Sequence, residues 1–279
     1  MNGFHLPDFI TGLHINWLFS LSGLAVGILV GLTGVGGGSL MTPILVLLFG
    51  IHPATAVGTD LLYASITKGV GTAIHGTKRT VDWKLVGLLA IGSIPATLLT
   101  LFFIQTCGES KALSKTITLV LGYALFLTAG LLLLRGWIKA YADKRQAEDM
   151  ADHPGENPFN AKRAALTILT GLVLGFLVSL SSVGAGALGV TALILMYPQL
   201  PTVKIVGSDI AHAVPLTFIA GMGYFFIGKV DTHMLLALLI GSIPGIILGS
   251  LLAPKLPEKI LRVVLAAVLV LVGLKLVTG

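Results

Sequence analysis

One cysteine, Cys107, stands alone in 279 residues, which excludes an internal disulfide and every multi-thiolate metal centre. Charge is nearly as scarce. Only 11% of residues are Asp, Glu, Lys or Arg while 55% are hydrophobic, and mean hydropathy is +0.96; so little polar surface cannot solvate a globule. No HExxH element occurs and no hydrolase nucleophile motif stands out, so the chain does not read as an enzyme. Cofactor and metal-binding signatures are absent as well. The run Gly34-Val35-Gly36-Gly37-Gly38 lacks both a preceding strand and a glycine at position 39, which excludes a dinucleotide fingerprint. Residues 1–16 hold no Lys or Arg and no small-residue cleavage site precedes the long apolar run, so a cleaved signal peptide is not expected.

The net charge of +6 does not point to nucleic acid, because the basic residues are spread over short connections between apolar runs, where they set membrane topology. Those runs, near 54–74, 85–104, 113–134, 202–227, 232–253 and 259–277, reach or approach the roughly 20 residues of a helical span. Backbone groups in lipid must be satisfied internally, so the runs are helices. The expected class is an all-α, multi-pass protein of the cell inner (plasma) membrane, with the bilayer as its solvent.

The chain also repeats itself. Gly58-Thr59-Asp60 returns as Gly207-Ser208-Asp209, Val81-Asp82 as Val230-Asp231, and Gly92-Ser93-Ile94-Pro95 as Gly241-Ser242-Ile243-Pro244, all at an offset of 149. One residue out of that register, Gly34 to Gly38 face Ser182-Val183-Gly184-Ala185-Gly186. Each half thus breaks its first apolar stretch with glycine at the same place, and paired breaks in paired halves point to a transport site.

The first broken stretch, 17–49, has 33 residues; as one helix it would be about 50 Å long against a hydrocarbon core of about 30 Å. Either it is a kinked crossing or two half-helices meet at the break and return to their starting side; 164–197 poses the same choice. Lys and Arg discriminate, since cytoplasmic loops carry the excess. With both stretches re-entrant the basic residues divide 13 to 4, with both crossing 11 to 6, Lys68 being left out as lying within a span. The re-entrant arrangement separates charge better. It predicts two inverted repeats, each a glycine-broken first helix plus three spanning helices: residues 1–136, a cytoplasmic polar linker over 137–162 with room for an amphipathic surface helix, and residues 163–279. Both termini then lie outside.

Inverted breaks approach one another near the midplane. Half-helices starting near Ser39 and Leu188 would aim unpaired N–H groups and the positive dipole end at that centre, which favours an anion. The candidate substrate-binding residues are therefore Thr33, Gly34, Gly36, Gly37, Gly38, Ser39, Lys68, Ser181, Ser182, Gly184 and Gly186. Intramembrane Asp60 and Asp209 are candidate coupling residues, with His212 three positions after Asp209 and in pairing reach; the same carboxylates could instead cap a first helical turn. Lys68 could balance either carboxylate or attract the anion. Pro95 and Pro244 each remove a helix hydrogen bond and are candidate hinges. Gly23, Gly27 and Gly31, like Gly241, Gly245 and Gly249, are spaced four apart as in close helix packing. Small-residue faces also permit a homodimer without requiring one.

At these residues the chain resembles the sulfite exporter TauE/SafE family of membrane permeases, which include 4-toluene sulfonate uptake permease-like transporters. The resemblance rests on the glycine break followed by Pro43, on Gly58-Thr59-Asp60 and on the Gly-Ser-Ile-Pro helix, in both halves. It implies a secondary transporter for sulfite, thiosulfate or an organosulfonate; the paired breaks add the expectation of alternating access, and Asp209 with His212 that of proton coupling. An anion channel and a permease for another small organic anion are the alternatives. The chain departs from the pattern in having Thr191 at the counterpart of Pro43, and carboxylates at Asp60 and Asp209, where members commonly carry an uncharged residue.

Overall fold

Every apolar run expected to be helical is helical. The structure, a computed structural model, describes residues 17–33, 38–77, 81–108, 110–152, 159–252 and 258–278. The first half contributes α1 (Trp17–Thr33), α2 (Gly38–Leu47), α3 (Pro53–Thr77), α4 (Trp83–Cys107) and α5 (Lys111–Asp152). The second contributes α6 (Ala161–Ser181), α7 (Ala187–Met196), α8 (Thr202–Phe226), α9 (Thr232–Leu252) and α10 (Glu258–Thr278). Helix starts follow local chemistry. Asp82 accepts from the Lys84 and Leu85 amides at the head of α4, Asp231 does the same for Met234, and Asn160 caps α6 through Arg163, each satisfying amides that the first turn leaves open.

Among the described residues, six helices are long and apolar enough to cross a bilayer. Polarity is arranged inside out. Leu99, Phe102, Leu251 and Leu271 are each at least 65% exposed, while Asp60, Asp209 and His212 are at most 1% exposed. A surface of this kind is stable only against lipid.

The two halves embrace. α1 packs on α9 and, at the equivalent places, α6 packs on α4; α3 pairs with α8 and α5 with α10. The glycine packing expected of Gly23 and Gly241 is present where α1 crosses α9, and the α4–α6 crossing is built in the same way. A Cβ on Gly23 would run into the Leu238 carbonyl and one on Gly241 into that of Ser20; likewise Gly171 abuts the Leu89 carbonyl and Gly92 that of Ile168. Backbone meets backbone, the closest approach helices can make. At the α3–α8 crossing, Gly58 lies against Tyr224 and Lys229 while Gly221 lies against Leu62, so these equivalent helices run antiparallel.

Each broken stretch folds back on itself. The Phe19 ring at the head of α1 lies 4.6 Å from that of Phe49, just past the end of α2. In the second half, Phe159, before α6, sits 5.4 Å from Tyr197, just past α7, and the Tyr197 hydroxyl bonds Thr167 of α6 at 2.8 Å. α6 has 21 residues, enough to cross, so length does not decide its course; the return contacts do. Beyond position 137 α5 continues to Asp152, with Ile138 and Ala142 buried against α4, α6 and α7.

Gly92→Leu and Gly241→Leu are each expected to destabilise the fold by about 1–3 kcal/mol through overpacking. Thermal unfolding in detergent should show both transitions lowered, and Gly87→Leu, where a side chain meets open space, unchanged.

Candidate functional site

The repeated motifs bond across the halves rather than within them. The Thr59 hydroxyl accepts from the Asp231 amide at 3.1 Å, and the Ser208 hydroxyl accepts from the Asp82 amide at 2.8 Å. The Gly-Thr/Ser-Asp element of each half is thereby pinned to the Val-Asp turn of the other. The Gly-Ser-Ile-Pro helices are joined in the same manner. Tyr63 donates to Ser242 at 2.7 Å and His212 Nε2 bonds Ser93 at 2.8 Å. Tyr63 and His212 occupy equivalent places at the offset of 149, so the histidine fills a position that a tyrosine hydroxyl fills in the other half. It holds α8 to α4, and its Nδ1 is buried without a partner.

The second break is built from backbone of unusual hand. Ser182 adopts the left-handed conformation with φ 57°, and Gly184 and Gly186 have φ of 118° and 131°, values that glycine tolerates and a side chain resists. Ser181 spends its hydroxyl locally, donating to the Leu177 carbonyl and accepting from the Val183 amide. α7 then begins at Ala187 with no side-chain cap from Gly186; the Leu188 amide turns back to the Gly184 carbonyl at 3.3 Å, and the positive dipole end of the helix faces the break.

Asp60 and Asp209 lie beside this break. Each is the eighth residue of its helix, so neither caps a first turn. Asp60 accepts a short hydrogen bond from Thr42 of α2, and the Ser182 hydroxyl lies next to its carboxylate without meeting hydrogen-bond geometry. Asp60 therefore stands between the half-helix after the first break and the backbone of the second. Asp209 is different. Neither of its oxygens has a partner, and Oδ1 packs against Gly189, in the first turn of α7, where a Cβ would collide with it. The partly buried Lys68 donates to the Ala185 carbonyl of the break at 3.2 Å and lies within electrostatic reach of Asp209 and Asp60.

The structure thus brings together Lys68, Ser182, Gly184, Gly186, Asp60 and Asp209, with His212 one turn along α8. Gly34, Gly36 and Gly37 lie outside the described residues; Thr33 ends α1, and Gly38 and Ser39 open α2. Pro95 and Pro244 sit inside α4 and α9, which continue past them. Sequence reasoning missed Thr42, Tyr63, Ser93, Ser242 and Gly189. Tyr63 was readable as the counterpart of His212, and Ser93 as part of the tetrapeptide. Among the described residues no three His, Cys, Asp or Glu side chains are grouped to hold a metal. A cleft of about 440 Å³, lined by Asn160, Lys162, Arg163, Leu166, Leu195, Met196 and Pro198, opens at the far end of the α6–α7 hairpin.

Residues 19–276 match the family described as Sulfite exporter TauE/SafE. The chain is 42% identical to the Probable membrane transporter protein YjnA of Bacillus subtilis, over 92% of this chain and 98% of that one. It is 29% identical to a Probable membrane transporter protein of Xylella fastidiosa over 80% and 79% of the two chains. Identity to the Probable membrane transporter protein MJ0441 of Methanocaldococcus jannaschii is 28% over 92% and 93%. No solved structure matches.

The Tyr63–Ser242 bond is expected to show a coupling of about 1 kcal/mol in a double-mutant cycle of Tyr63→Phe and Ser242→Ala. Thermal unfolding of the four proteins in detergent reads it directly, and additive losses would show that the bond does not join the halves.

Proposed function

The chain belongs to the sulfite exporter TauE/SafE family of multi-pass membrane proteins, and from that premise we propose that it is a secondary transporter of a small sulfur-containing anion, sulfite, thiosulfate or an organosulfonate, working by alternating access. The observation that carries this reading is the convergence on one break of Lys68 from the first half, the uncapped start of α7 and the Ser182 hydroxyl. An ammonium, a positive helix end and a hydroxyl are what an oxyanion needs. Their burial favours a carrier that opens to one side at a time over an open channel. Lys162 and Arg163 line the cleft at the far end of the α6–α7 hairpin and add positive potential on that face.

Residues 1–136 and 163–279 are the two inverted repeats in this reading, with 137–162 joining them on the cytoplasmic side. The antiparallel course of the equivalent helices α3 and α8 supports inversion. The return of α2 to the head of α1 and of α7 to the head of α6 supports re-entrance. Gly34 to Gly38 would supply the matching half of the site, and Pro95 and Pro244 the flexing points of α4 and α9 as one half rocks against the other.

Purified protein in proteoliposomes is expected to take up labelled thiosulfate or methanesulfonate saturably and against a gradient, with chloride a poor substrate; absence of saturable flux for every anion tested would overturn the reading, and flux that never saturates would favour a channel. In a Cys107→Ser background, an impermeant thiol reagent applied outside should label Lys111→Cys and spare Lys144→Cys. Labelling of both from one side would exclude the topology.

A further inference from the structure

The two intramembrane carboxylates are equivalent in sequence and unequal in surroundings. Around Asp60 the first half supplies Thr42 as a hydrogen-bond donor. At the offset of 148 that relates the two breaks, the residue opposite Thr42 is Val190 and the one opposite Met41 is Gly189. The second half has thus exchanged the hydroxyl for an isopropyl group and cleared a space, and Asp209 sits in that space against the first turn of α7. It is 1% exposed and neither oxygen is hydrogen-bonded. A buried carboxylate without donors is costly, and a stable fold retains one only where something offsets it. Two features do so here, the positive end of α7 and Lys68. Lys68 has no symmetric copy, since its counterpart is Thr217, whose hydroxyl bonds its own helix at Ala213.

The helix start and the ammonium that stabilise Asp209 are the same groups that the transport reading assigns to the substrate anion. We propose that Asp209 is a built-in competitor of the substrate. Its carboxylate holds the first turn of α7 and Lys68 in the resting protein, and an anion binds there only as Asp209 takes up a proton from water, so that one proton and one anion are bound and carried together. This rests on the transport reading and adds to it the coupling ion, the coupling residue and the order of events.

Other groups near Asp209 do not supply the same behaviour. From α3 come Lys68, a cation that any anion would share, and Asp60, already bonded to Thr42. α4 presents Asp82, which caps its own helix. On α8 itself His212 is bonded to Ser93 through Nε2 and has an unpartnered Nδ1, but a proton gained there would not vacate the start of α7; α6 and α7 offer Leu174 and the backbone of Gly189.

The test is equilibrium binding of thiosulfate and methanesulfonate, anions of strong acids that keep their charge as pH changes, to the purified full-length protein in detergent, with proton uptake followed in weakly buffered solution. Wild type is expected to bind more tightly as pH falls, by up to roughly tenfold per unit above the titration of Asp209, and in that same range to take up about one proton for each anion. Asp209→Asn should bind, one pH unit above the titration of Asp209, roughly tenfold more tightly than wild type, with no pH dependence, because the competing charge is gone. A pH slope in Asp209→Asn equal to that of wild type, or wild-type binding without proton uptake, overturns the inference while leaving anion transport standing. Absence of saturable binding of either anion by wild type at any pH overturns the transport reading itself. Should Asp209→Asn fail to fold, His212→Gln decides: it is expected to keep the wild-type proton uptake, and loss of that uptake overturns the inference.

Discussion

Backbone-to-backbone contact between the halves is the constraint on which the rest depends. In lipid there is little hydrophobic gain from bringing two helices together, so association rests on van der Waals packing and hydrogen bonds at short range. Gly23 against Leu238 and Gly171 against Leu89 bring α1 to α9 and α6 to α4 closely enough for the serines of the Gly-Ser-Ile-Pro helices to be reached from α3 and α8.

That interlocking changes the meaning of the repeated motifs. A carboxylate in an apolar helix invites a functional reading, and three short motifs in duplicate invite it three times over. Most of what the motifs do is architectural. Thr59 and Ser208 receive amides of the opposite half, Asp82 and Asp231 cap helices, and the tetrapeptide glycines allow close packing. What remains after these roles are assigned is small and concentrated at one place, the second break, where Lys68, Ser182 and Asp209 meet the start of α7.

The architecture is close to symmetric and the chemistry is not. Equivalent helices occupy equivalent places, yet Lys68 stands opposite Thr217, Tyr63 opposite His212, and Thr42 opposite Val190. A duplicated frame needs only matching shapes and caps, whereas a site for one charged solute needs a single arrangement of charge. Two lysines facing two carboxylates would hold one another; one lysine shared between two carboxylates leaves a charge to be met by something else.

Composition and hydropathy sufficed to establish a helical membrane protein, because a chain with so few charges has no other stable solution in water or lipid. The offset of 149 exposed the duplication, and the spacing of glycines exposed the packing faces, since both are properties of residue order alone. Counting basic residues favoured a re-entrant path by a narrow margin. Tertiary structure decided what no linear pattern could. It showed that neither Asp60 nor Asp209 caps a helix, that α5 runs on to Asp152, and that the motifs of one half bond to the other. The reason is physical: a motif reports what a residue can bond, while its partner 126 or 172 positions away is chosen by which helices lie side by side.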